Sequence, residues 1–116
     1  MSNRVVVRKS FLGSAKKLAR RYRSFQKDLA KLIDELRINS NIGIPLGNNV
    51  YKIRLGIASK GRGKSGGARV ISYVYRSAGF VYLLFVYDKA DMDAIPESDL
   101  RVLVRELEAD IDEKPK

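Results

Sequence analysis

The chemistry this sequence offers centres on Arg69 and Lys89, two cations that the pairing of their strands would bring near one another. Arg69 stands where a glycine-rich, cationic loop, GRGKSGG, runs into the apolar segment Ala68–Tyr75. Lys89 ends the next apolar run, FVYLLFVYDK, with Tyr87 just before it. Cations that converge repel one another, so such a group implies an anion that compensates them. The scissile phosphate of RNA is one. Cleavage by attack of the 2′-hydroxyl needs a base for that hydroxyl, positive charge for the equatorial oxygens and a proton for the leaving 5′-oxygen. Arginine suits the second task because its planar guanidinium binds two oxygens at once. A lysine among other cations suits proton transfer near neutral pH. This route needs neither histidine, which the chain lacks, nor a metal or other cofactor. The plainer reading gives Tyr87 a packing role and pairs Arg69 with Asp88 or Asp91.

A second motif competes for the same loop. Ala58–Ser65, ASKGRGKS, fits a relaxed phosphate-loop pattern. That motif works only when a helix begins directly after the lysine and aims its amides at the phosphates. Here Gly66 and Gly67 follow, and then a segment rich in Val, Ile and Tyr that reads as a strand. Nucleotide hydrolysis is therefore disfavoured. The loop still offers Lys60, Arg62 and Lys64 to a phosphate-bearing partner.

Composition narrows the class. At 116 residues the chain reads as one domain with room for a hydrophobic core. Without cysteine it has no disulfide or thiolate zinc site, and a cytoplasmic protein is the expectation. No apolar run approaches the roughly 20 residues a membrane-spanning helix needs. The net charge is +10, and it is unevenly spread: residues 1–89 hold 19 Lys/Arg against 4 Asp/Glu, whereas residues 90–116 hold 4 against 9. A cationic body with an acidic final segment points to a polyanionic partner, most often nucleic acid.

The elements that must position these residues follow from periodicity. RVVVR at Arg4–Arg8 reads as a short strand. Apolar residues then recur from Phe11 through Ala15, Leu18, Tyr22, Phe25, Leu29, Leu32 and Leu36 in steps of four and three, one face of a helix. Ser24 is a candidate N-cap, and Arg20, Arg21 and Arg23 suit the end of a preceding helix. The spacing alone permits one long helix; these end signals favour a hairpin of helices over about Ser10–Arg23 and Phe25–Arg37. Asn39–Asn49 reads as loop. Tyr51, Ile53, Leu55 and Ile57 alternate with Lys52 and Arg54 as a half-buried strand does. Two further strands, Ala68–Arg76 and Phe80–Lys89, flank a turn at Ser77–Gly79, and the second is apolar enough to be central. Pro96 opens a last helix, and Asp110–Lys116 reads as a frayed tail. The expected class is α+β, in the order β-α-α-β-β-β-α, with helices on a mostly antiparallel sheet.

The turn sets a register. As a three-residue loop with Gly79 left-handed, it faces Arg76 with Phe80. Tyr73 then lies opposite Leu83, Ile71 opposite Phe85 and Arg69 opposite Tyr87, with Lys89 diagonal to Arg69.

The runs GKSGGARVISYVY, YLLFVYDK and PLGNNVYKIRL resemble the RelE/ParE superfamily of bacterial toxins, and most of all its RelE/HigB-like members. The resemblance spans about residues 3–108. It implies a compact α+β toxin neutralised by a cognate antitoxin protein. It further implies cleavage of mRNA on the ribosome without metal, leaving a 2′,3′-cyclic phosphate. Residue by residue, Arg69 matches the strand arginine that contacts the scissile phosphate, and Lys89 the second catalytic cation. Lys52 and Arg54 match basic residues of the preceding strand, a role the loop cations could also take. Some relatives carry an aromatic hydroxyl beyond the second cation, where this chain has Ile95 and Pro96; Tyr87 is the substitute at hand. The expected site is Arg69, Lys89, Tyr87 and Lys64 for catalysis, with Lys52, Arg54, Lys60 and Arg62 binding RNA alongside ribosomal RNA contacts. Two other functions fit the same chain: a ParE-like inhibitor of DNA gyrase, and a basic RNA-binding module without catalysis.

Overall fold

The computed structural model describes residues 2–61 and 66–113. Arg62 and Lys64, two of the expected site residues, lie outside them. Strand β1 (Arg4–Val7) leads into helices α1 (Lys9–Arg21) and α2 (Phe25–Ile38), which form the predicted hairpin. Ser24 stands at the N-cap of α2, but its hydroxyl donates to Asp28 at 2.8 Å and accepts from the Ser59 amide at 2.8 Å instead of capping an amide of α2. Four more strands follow: β2 (Ile44–Gly47), β3 (Val50–Leu55), β4 (Ala68–Tyr75) and β5 (Phe80–Asp88), before helix α3 (Glu97–Glu113). The strands form one sheet in the order β1-β5-β4-β3-β2, with β1 parallel to β5 and the other pairs antiparallel.

The sheet is covered on both faces. Phe11 and Leu18 of α1 and Phe25, Leu32 and Leu36 of α2 pack on Ile53, Leu55, Val70, Leu83 and Val86. On the opposite face Leu107 of α3, flanked by Leu100, Leu103 and Val104, covers Ile71, Tyr73, Tyr82 and Leu84. An ion pair of 2.6 Å from Arg8 to Asp110 ties α3 to the end of β1. Strand β5 is buried on both sides, which accounts for its unbroken apolar run.

Three sequence expectations need correction. Asn39–Asn49 is not all loop, because Ile44–Gly47 pairs with β3. The turn between them is Asn48-Asn49, both residues at positive φ (53° and 68°), which matches a tight hairpin. Pro45 disguised the strand, yet β2 is the sheet edge, where a missing N–H costs little. The tail is also shorter than expected, since α3 continues through Asp110 to Glu113.

The third correction concerns the hairpin. Tyr75, not Arg76, pairs with Phe80, and Tyr73 lies opposite Tyr82 instead of Leu83. The loop therefore holds four residues, Arg76–Gly79, with Gly79 left-handed as expected (φ 71°). A bulge between Ile71 and Ser72 then absorbs one extra residue of β5, Leu84. Beyond it Ile71 faces Phe85 and Arg69 faces Tyr87. The one-residue error at the turn is cancelled before the strand reaches Arg69.

Candidate functional site

Paired residues on antiparallel strands point to the same face, so the register assembles the site. Arg54 of β3 lies opposite Arg69 of β4, which lies opposite Tyr87 of β5. One step along, Lys52, Ile71 and Phe85 form the next row. All six side chains therefore project from the face that α3 covers, at the end of the sheet where β3 finishes and β4 begins. Arg54 is exposed and Lys52 half-buried. Arg69 is only 6% exposed and donates from Nη1 to the Ala68 carbonyl at 3.1 Å.

Tyr87 is 4% exposed, and its hydroxyl has no hydrogen-bond partner among the described residues. Burial pushes its phenol pKa up; the neighbouring Arg69 charge opposes this, as does the Ile95 amide, which lies close but outside hydrogen-bonding geometry. The result is a neutral phenol beside a guanidinium. Lys89 follows directly after β5. Its backbone N–H donates to the Gly67 carbonyl at 3.1 Å, which continues the β4–β5 ladder and places it diagonal to Arg69. Its amine reaches the Asp93 carbonyl at 3.2 Å.

Gly67 makes this junction possible. A Cβ there would stand 2.1 Å from the Leu55 carbonyl oxygen, so no other residue fits between the ends of β3 and β4 without moving backbone. The glycine loop thus returns to the sheet directly before Arg69.

Lys60 goes elsewhere. Its amine donates to Asp88 Oδ1 at 2.7 Å and lies 5.3 Å from the centre of the Tyr22 ring. Asp88 alternates with Tyr87 and faces the helical hairpin, so the structure separates Lys60 from Arg69 by the thickness of the sheet. Its side chain is 11% exposed, and the RNA-binding role expected of it would require breaking a buried pair. Asp88 also accepts from Arg21 Nη1 at 2.7 Å, the Tyr22 hydroxyl at 2.6 Å and the Ala90 amide at 2.9 Å. Burial alone would raise the Asp88 pKa; Lys60, Tyr22, Ala90 and Arg21 together overcome it and hold the carboxyl well below the usual range. Asp91 pairs with Arg21 and Lys17 at 3.0 and 3.3 Å. Sequence reading missed this cluster. Its signal was an aspartate ending an otherwise apolar strand.

Among the described residues no group of three or more His, Cys, Asp or Glu gathers as a metal site would require. No helix among them is long and apolar enough to cross a membrane.

The family model for the RelE toxin of RelE/RelB toxin–antitoxin systems matches residues 3–113. The chain belongs to the RelE toxin family. As a RelE-family protein it is a toxin of a toxin–antitoxin module, and an antitoxin is the partner that membership implies. Among solved structures, a double arginine-to-alanine mutant of the E. coli toxin RelE in the free state is similar, with a TM-score of 0.57 and 19% identity. The match covers 80% of this chain and 90% of that one. At this identity the likeness speaks for the RelE fold alone, which agrees with the α+β layers described above.

Proposed function

We propose that this RelE-family toxin is a metal-independent endoribonuclease that cuts mRNA on the ribosome and so stops translation. The observation that carries the reading is the row Arg54–Arg69–Tyr87, with Lys89 diagonal to Arg69. Guanidiniums on paired strand positions suit the oxygens of a phosphate, and a neutral phenol in the same row can donate a proton. In the proposed step the 2′-oxygen forms a bond to phosphorus and the bond from phosphorus to the 5′-oxygen breaks. The proton of the 2′-hydroxyl leaves to a base, a second proton reaches the 5′-oxygen, and a 2′,3′-cyclic phosphate remains.

Arg69 neutralises the equatorial oxygens, where charge grows most in the transition state. Tyr87 supplies the proton to the leaving oxygen, and Lys89 adds positive charge next to it. Arg54 and Lys52 hold flanking phosphates. Lys64 keeps the catalytic role that the resemblance and the loop sequence suggest for it, outside the described residues.

Mapping mRNA 5′ ends after brief induction tests the reading, with the expectation of cuts in phase with codons. Arg69→Ala should lower the cleavage rate about a hundredfold or more while the protein stays folded. Growth arrest without codon-phased cuts, accompanied by inhibited DNA supercoiling, would identify a gyrase inhibitor instead. Full toxicity of a folded Arg69→Ala protein would remove Arg69 from the mechanism.

A further inference from the structure

Helix α1 carries its own cationic surface on the side of the molecule away from Arg69. Lys9, Lys16 and Arg20 recur at steps of seven and four, with Lys17 beside them, and all are exposed. At 1.5 Å rise per residue the stripe from Lys9 to Arg20 is about 16 Å long. Among the described residues, Lys9, Lys16 and Arg20 have no carboxylate within ion-pairing distance; the nearby acid Asp91 is taken by Lys17 and Arg21. The first turn of α1 has no acidic residue either.

In the middle of the stripe stands Gly13, one turn after Lys9 and one turn before Lys16 and Lys17. A glycine inside a helix costs stability relative to alanine. Here nothing in the fold asks for one: a Cβ at Gly13 would meet no atom within 4 Å, and its φ is not in the left-handed region. Together with Lys16, Lys17, Arg20 and Arg21 it lines a shallow depression. Cations ring a spot from which the side chain has been removed, which is the shape a backbone ligand needs to approach the helix closely.

We propose that this face of α1 is a second RNA-binding surface, which takes the sugar–phosphate backbone of a duplex segment with one strand seated over Gly13. The geometry favours a duplex. The sheet separates α1 from the Arg69 face, so a single strand in the cleavage site would have to turn round the molecule to lie along α1. A folded RNA presents a helical segment to one face and a strand to the other. The contact is to phosphates and carries no sequence readout. The proposal rests on RNA being the target under Proposed function, but its assay reads binding and not cleavage, so the two fail separately.

The test uses the full chain with Arg69→Ala as background and a short RNA duplex as probe, titrated across a range of salt. Lys16→Ala with Arg20→Ala should weaken duplex binding about tenfold and flatten the log–log salt dependence by about two phosphates, near 0.9 per phosphate. Gly13→Gln should leave the melting temperature unchanged or higher, since glutamine is the better helix former, yet weaken duplex binding about tenfold. Gly13→Ala should raise the melting temperature with a smaller loss. Lys27→Ala with Lys31→Ala, on α2, removes the same charge off the stripe and should cost much less. Undiminished duplex binding by Gly13→Gln would overturn the seat on α1. Equal losses from the α1 and α2 pairs would also overturn it, by assigning the binding to overall charge.

Discussion

Tyr87 and Asp88 are neighbours in sequence that face opposite sides of the sheet, and their chemistry differs accordingly. The Tyr87 hydroxyl is buried without a partner among the described residues, a state that costs stability and persists where something else requires it. Tyr87→Phe removes one oxygen and nothing else. It should leave the fold as stable or more stable by about 1 kcal/mol, while cleavage falls about tenfold to a hundredfold. Urea unfolding and single-turnover cleavage read the two effects, and an unchanged rate would return Tyr87 to packing. Asp88 predicts the reverse. Its carboxylate holds Lys60, Arg21 and Tyr22, so Asp88→Asn strands a buried ammonium and should cost about 2–4 kcal/mol, the exposed Arg21 adding little. Because the folded-state pKa of Asp88 is depressed, its contribution is complete above the ordinary aspartate range near pH 4. It is lost as pH falls from there toward the folded value. The stability gap between the native protein and Asp88→Asn should therefore narrow on acidification below about pH 4, followed by urea unfolding across that range.

At the scale of elements, the site depends on how β3 and β4 meet. Gly67→Ala forces a methyl group against the Leu55 carbonyl, and the strand ends must part. That should cost about 1–3 kcal/mol, as overpacking does. The displacement would also fall where Arg54 faces Arg69. Toxicity should therefore drop in protein that circular dichroism still finds folded, and a fully toxic Gly67→Ala would show that the junction tolerates movement. The bulge at Leu84 acts on the same alignment from the other side. It sends Leu84 and Phe85 together toward α3, while Val86 returns to the hairpin face.

For the whole molecule, the net charge of +10 bears on both target and antitoxin. If the ribosome is the target, as proposed above, binding to it should weaken steeply with salt, because each neutralised phosphate releases counterions. An antitoxin that opposes this binding most directly would cover cations around Arg69 and Lys89, or displace α3, whose Leu107 lies on the same face. Covering the cations relieves their mutual repulsion. With antitoxin at about a hundred times its Kd the toxin gains about 2.7 kcal/mol, so its melting temperature should rise by about 10 °C. Scanning calorimetry of toxin with and without antitoxin checks this. A bound antitoxin that leaves both the cationic face and α3 in place would exclude the occlusion scheme.

Much of this architecture can be read from the sequence, for local reasons. The three-and-four spacing from Phe11 to Leu36 makes an amphipathic helical face whatever it packs against, and Ser24 and the arginines before it mark where that face breaks in two. The unbroken apolar run of Phe80–Tyr87 requires cover on both faces. Arg69 could be singled out because a loop of glycines and cations ends at it. Other features depend on contacts between distant segments. Pro45 argues against a strand until its place at the sheet edge makes the lost N–H harmless. Nothing local in Leu84 announces a bulge, since two apolar strands accept either register, and only packing between two helical layers selects one. The direction of Lys60 is decided the same way. In sequence it is one more cation of a phosphate-seeking loop; in the fold Asp88, Tyr22 and Arg21 converge beneath it from two other elements, and a buried carboxylate outcompetes solvent for its charge.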